Sequence, residues 1–91
     1  MNLNVTAEEG QDVQLQCPMN VKNLRVTWWK NQERIVSRDK VHRDFKDHMT
    51  FNDTTGKLTI HKAQLNDTGV YYCNVGFQEP GEIHLTVHGK F

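Results

Sequence analysis

Few residues in this chain could do chemistry. Two cysteines, Cys17 and Cys73, stand 56 positions apart. They admit three readings: a structural disulfide, two free buried thiols, or half of a metal site. A zinc site takes four ligands at short local spacings, and neither cysteine has a histidine close to it in sequence. That leaves the disulfide and the free thiols. A bridge over this span would contribute about 4 kcal/mol through loop closure, a large part of a small domain's stability. The five histidines, His42, His48, His61, His84 and His88, form no ligand pattern. His84 and His88 share a strand face, but at about 3.3 Å per residue they stand roughly 13 Å apart, too far for one ion with bonds of about 2 Å. Ser37 is the only serine and has no glycine elbow beside it. Asp44 and Asp47 sit in a stretch, 38–47, whose charges alternate in sign, which reads as solvated surface. There is no glycine-rich phosphate loop. The expectation is a non-enzyme with no cofactor and no metal.

A different chemistry is written in three asparagines. Asn4-Val5-Thr6, Asn52-Asp53-Thr54 and Asn66-Asp67-Thr68 are acceptors for N-linked glycan. Three of them beside a lone cysteine pair point to an extracellular chain. Composition narrows the field further. Eleven basic and eleven acidic residues cancel, against the strong basic excess of an electrostatic nucleic-acid binder. No apolar run approaches the roughly 20 residues of a membrane span, so direct membrane contact is not expected. No leader precedes Asn2, so no signal peptide is expected here. With 36% hydrophobic and 24% charged residues, the 91 residues read as one small soluble domain over 1–91. A core of that size gives thin stability by itself.

The positioning elements are short and alternate with period two. Residues 12–17, 24–30, 57–62, 70–77 and 82–88 each place apolar side chains on one face. Weaker strands are expected over 3–6, 34–37 and 48–52, and one helical turn over 63–67. Breakers lie between them at 9–10, 18–20, 53–56 and 79–81. Such a set makes an all-β sandwich. Parity puts Cys17, Cys73 and Trp28 inward and Trp29 outward. An indole packed on a bridge between two facing sheets is a sensible core for such a domain.

The string Cys17, Val26-Thr27-Trp28-Trp29-Lys30, Leu58-Thr59-Ile60 and Asp67-Thr68-Gly69-Val70-Tyr71-Tyr72-Cys73 resembles the immunoglobulin superfamily across nearly the whole chain. The resemblance implies an immunoglobulin-like two-sheet antiparallel sandwich with one inter-sheet disulfide, Cys17 to Cys73. It also implies a core of Trp28, Leu58 and Tyr71, with the Tyr71 hydroxyl bonded to a backbone carbonyl a few residues upstream. Asp67 is expected to pair with an arginine, for which Arg43 is the candidate; a solvated Arg43 is the plain alternative. Tyr71-Tyr72-Cys73 looks like a variable-type ending, while the short interval between cysteines implies a reduced or missing C″ strand. The Phe-Gly-x-Gly bulge of antigen-receptor variable domains is absent from 80–87, which disfavours an antibody or T-cell-receptor chain. A V-like or intermediate domain of a leukocyte cell-surface receptor fits better.

Function is then recognition by surface. In the family the sheet of strands G, F, C and C′ often carries the contact, and parity puts Trp29 and Tyr72 on it. Large aromatics are enriched at binding hot spots. Arg34 beside them is a further candidate contact; the competing reading has the two rings covered within the domain by Arg34, Ile35 and side chains of the last strand. The connection 77–81 is the second candidate. Gln78 and Glu79 offer polar contacts on a turn stiffened by Pro80-Gly81, and Phe77 is core by parity or an anchor by position, parity favouring core. A glycan on Asn52 would lie away from the G-F-C face, whereas Asn4 and Asn66 do not discriminate. Two partners are in play: a protein ligand bound by a receptor ectodomain, or a second copy or sister subunit in an adhesion or assembly module.

Overall fold

The computed structural model describes residues 2–19, 21 and 25–90. Asn20 and Leu24, expected in a turn and at a strand start, lie outside the described residues. Among the described residues nine strands follow in chain order: β1 Asn2–Glu8, β2 Val13–Leu15, β3 Val26–Lys30, β4 Glu33–Ser37, β5 Lys40–Val41, β6 Met49–Phe51, β7 Leu58–Ile60, β8 Gly69–Val75 and β9 Gly81–His88. They form two sheets, one six-stranded in the order β1-β9-β8-β3-β4-β5 and one three-stranded in the order β2-β7-β6. Every pairing is antiparallel except β1 with β9, which is parallel. The helical turn expected over 63–67 is a short 3-10 turn at Leu65–Asp67.

The alternation decides the layers. β8 buries Tyr71, Cys73 and Val75, and β9 buries Ile83, Leu85 and Val87. β2 and β7 bury Val13, Leu15, Leu58 and Ile60 from the other side. Facing apolar sets at period two can be dried only by stacking one sheet on the other. Trp28 sits fully buried between them, and its Nε1 donates to the Gly56 carbonyl at 2.9 Å. That pairing removes the penalty of a buried unpaired indole N–H. Cys17 and Cys73 are joined in a disulfide, with Cα atoms 5.9 Å apart, so the free-thiol alternative falls away.

One turn and one register irregularity shape the half of the large sheet beyond β3. The β4–β5 hairpin holds Arg38 and Asp39 at φ 53° and 63°, the sign pattern of a type I′ two-residue turn, whose twist suits a hairpin. β5 is only two residues long, matching the reduced C″ strand that the short cysteine interval implies. In β4 both Ile35 and Val36 are buried, and the β3–β4 register shifts between Trp28 and Trp29. This irregularity sets Arg34 directly opposite Trp29.

Candidate partner-binding face

The corner beneath the large sheet is built around Tyr71. Its hydroxyl donates to the Asp67 carbonyl at 2.6 Å, four residues upstream. Burial pushes the phenol well above its ordinary pKa, and the neighbouring Asp67 charge adds to the shift. Asp67 is itself buried. Its Oδ2 accepts the Gln64 backbone N–H at 2.7 Å and contacts His48 Nε2, also at 2.7 Å. This corrects the expected Arg43–Asp67 pair, for Arg43 is exposed. The physical reason is local. The chain after β5 coils through backbone bonds from Phe45 N–H to the His42 carbonyl and from His48 and Met49 N–H to the Phe45 carbonyl. The His61 N–H then fixes the His48 carbonyl at 2.8 Å. His48, just before β6, is thereby set against Asp67.

On the outward side of the large sheet, register assembles one row across four strands. Arg34 on β4 pairs with Trp29 on β3, Trp29 with Tyr72 on β8, and Tyr72 with Glu82 on β9. The Arg34 guanidinium lies over the Trp29 ring, 4.6 Å from its centroid, a cation–π placement. Trp29 and Tyr72 are half-buried. Arg34 therefore covers part of Trp29, as the competing reading foresaw, whereas Ile35 turns into the core. Trp29 Nε1 is buried and has no hydrogen-bond partner among the described residues, at a cost of about 1–3 kcal/mol. Glu82 Oε2 lies 3.2 Å from His84 Nε2. Glu82 and His84 were not among the candidate contact residues. Alternation put them outward, but only the β8–β9 register puts Glu82 beside Tyr72.

The outer face of the small sheet differs. Its corresponding row is Gln14, Thr59 and Thr50, polar and without a large ring.

At the β8–β9 connection the structure overturns the parity argument for Phe77. β8 ends at Val75, Gly76 takes φ 56°, and the Gln78 N–H donates to the Val75 carbonyl at 3.1 Å. The alternation stops there, and Phe77 stands fully exposed at the tip instead of in the core. Glu79 and Pro80 are exposed beside it.

The acceptor asparagines occupy distinct places. Asn52 is exposed in the β6–β7 turn, where its Oδ1 accepts the backbone N–H groups of Thr54 and Thr55 at 2.9 and 3.2 Å. That is far in the topology from the Trp29–Tyr72 row. Asn66 is exposed beside the corner, with its carbonyl accepting from the Lys30 ammonium. Asn4 is in register with His84 across the parallel β1–β9 pair, on the outward side of the large sheet at its β1 edge. Among the described residues no group of three or more His, Cys, Asp or Glu could hold a metal ion.

Residues 2–76 match the family described as immunoglobulin domain, and the chain belongs to that family. It is similar to neural cell adhesion molecule 1 of Bos taurus, 32% identical over 94 residues, covering 97% of this chain and 10% of that protein. It is similar to the T-cell immunoreceptor with Ig and ITIM domains of Mus musculus, 32% identical over 77 residues, covering 77% of this chain and 31% of that protein. The chain thus spans between a tenth and a third of the length of these relatives. Among solved structures, the first Ig-like domain of human CD48 antigen superposes with a TM-score of 0.86 at 25% identity, covering 98% of this chain and 84% of that one. The chain is an immunoglobulin domain homologous to adhesion-molecule and immune-receptor domains.

Proposed function

We propose that this domain is an extracellular recognition module of a cell-surface receptor. It binds a protein partner through the outer face of the β1-β9-β8-β3-β4-β5 sheet, and segments outside this chain carry any signal. The observation that carries this reading is the contrast between the two faces. The large sheet presents Arg34, Trp29, Tyr72 and Glu82 in one row, whereas the small sheet presents Gln14, Thr59 and Thr50. Aromatic and arginine side chains dominate the energetics of interface centres, and small polar ones do not. Exposed Phe77 at the β8–β9 tip extends the surface on one side. The names of the two relatives, one an adhesion molecule and one an immunoreceptor, agree with a partner that is itself a protein. The extracellular setting is supported by the disulfide and the three glycan acceptors.

A labelled, multivalent form of the domain, applied to cells displaying a panel of immunoglobulin-family ectodomains, identifies binders. Trp29→Ala and Tyr72→Ala should each weaken that binding by more than about 1 kcal/mol, with cooperative unfolding retained. Unchanged affinity in both variants removes this reading. A second reading, an adhesion or assembly module that pairs with itself, is supported by the placement of Arg34 and Glu82 at opposite ends of the same row, which a two-fold contact would set against each other.

A further inference from the structure

We propose that the cavity beside the Tyr71 corner is a site for a guanidinium, the side chain of an arginine on a protein partner. The cavity holds about 440 Å³ between the end of β3, the 44–49 segment and the 3-10 turn. Three carboxylates line it, those of Asp44, Asp47 and Asp67, against one ammonium, that of Lys30. Asp67 is the decisive group. Its side chain keeps only 7% of its surface open, and a carboxylate taken that far out of water calls for a cation or a full set of donors. It has neither. Oδ2 takes both the Gln64 N–H and His48 Nε2, and Oδ1 has no hydrogen-bond partner among the described residues. No lysine or arginine among them forms an ion pair with it. The nearby cations are engaged elsewhere: Arg43 is exposed, and the Lys30 ammonium is held by the Asn66 carbonyl at 2.5 Å and lies 5.9 Å from the centre of the Tyr71 ring. Oδ1 is thus the oxygen left to face the cavity.

A guanidinium suits this lining better than an ammonium. Its planar fork carries several fixed N–H donors, so one ion can bond Oδ1 of Asp67 and turn its other donors to the acids at the mouth. Asp44 and Asp47 are both exposed there. Among the described residues Asp47 makes no ion pair, and the Asp44 carboxylate pairs only with His42, at 3.5 Å. The half-buried Phe45 ring supplies an apolar wall. A guanidinium stacks on such a ring at little cost, because it is more weakly hydrated than an ammonium. The charge balance of the lining excludes an anion. A cation fixed on a folded protein also loses less freedom on entering than one free in solution. Lys30 directly follows Trp29 on β3, so the cavity lies at the end of the strand that bears the aromatic row, within the span of one protein partner. The protein source rests on the recognition reading given above; the guanidinium site does not.

Capped amino acids test the site without any partner. Acetylarginine amide, acetyllysine amide and the neutral acetylcitrulline amide are each titrated into the isotope-labelled domain and followed by NMR. The arginine compound should give saturable shifts at the backbone amides of His48, Met49 and Asp67, with about millimolar affinity. The lysine compound should bind at least about fivefold more weakly, and the citrulline compound should not bind. The double variant Asp44→Asn with Asp47→Asn changes two surface groups, so cooperative unfolding should persist while the arginine compound binds at least about fivefold more weakly. No saturation by about 50 mM, equal binding of the arginine and citrulline compounds, shifts that lie away from the cavity, or indifference to the double variant each overturn the site. The same double variant should weaken binding to a partner found on the cell panel by at least about fivefold. A partner that ignores it, while acetylarginine amide still binds the natural sequence, overturns the partner's arginine as the occupant. Indifference of that partner to Trp29→Ala and Tyr72→Ala bears on the sheet face alone, so the two readings fail separately.

Discussion

Tyr71 and Asp67 show how much of the domain hangs on single polar atoms. The Tyr71 hydroxyl satisfies the Asp67 carbonyl, and the Asp67 carboxylate holds Gln64 and His48. Tyr71→Phe should cost about 1–2 kcal/mol, because a buried acceptor loses its donor; chemical denaturation at neutral pH measures it. The raised phenol pKa also has a sign. The unfolded tyrosine ionises near pH 10, while the folded one stays protonated to higher pH. Between those values the unfolded chain binds fewer protons, so stability falls as pH rises. The contribution is complete below about pH 10 and is lost above it. Denaturation curves taken across that range should decline more steeply for the natural sequence than for Tyr71→Phe. His48→Ala should destabilise by about 1–3 kcal/mol by leaving part of a buried carboxylate unpaired, whereas Arg43→Ala, on the surface, should stay within about 0.5 kcal/mol. Phe77→Ala should likewise leave stability unchanged, since its ring touches water on all sides.

Element by element, the alternating runs were readable before any geometry. β3, β8 and β9 came out with correct inward and outward sides, because a one-residue error would have turned every apolar residue to water. Strand ends were not readable in the same way. Period two cannot see Gly76 entering the left-handed region, so Phe77 was carried inward past the true end of β8. Nor can it see the irregularity that buries both Ile35 and Val36 and thereby fixes Arg34 over Trp29. The Arg43 expectation failed for a related reason. Which basic side chain reaches Asp67 depends on how the 38–47 segment coils, and that is set by backbone bonds without a residue signature. One close approach at the element scale is testable. A Cβ on Gly81, where β9 begins, would meet Pro18 Cγ at 2.8 Å and Cys73 Sγ at 3.0 Å. Gly81→Ala should therefore cost about 1–3 kcal/mol through overpacking, visible as a lowered melting temperature.

At the scale of the whole molecule, one covalent link joins two sheets that share a thin core. Replacing Cys17 and Cys73 together by alanine should lower stability by about 2–5 kcal/mol, a loss that urea titration would register as an earlier midpoint. The same architecture leaves two outer faces of unlike character, and the functional account depends on that inequality. It is tested most directly by comparing the faces in one binding assay. Alanine at Trp29 and Tyr72 is set beside lysine at Thr50 and Thr59, all four proteins being checked for cooperative unfolding. The account predicts at least tenfold weaker partner binding for the first pair and unchanged binding for the second. Loss confined to Thr50 and Thr59, with Trp29 and Tyr72 indifferent, would contradict it.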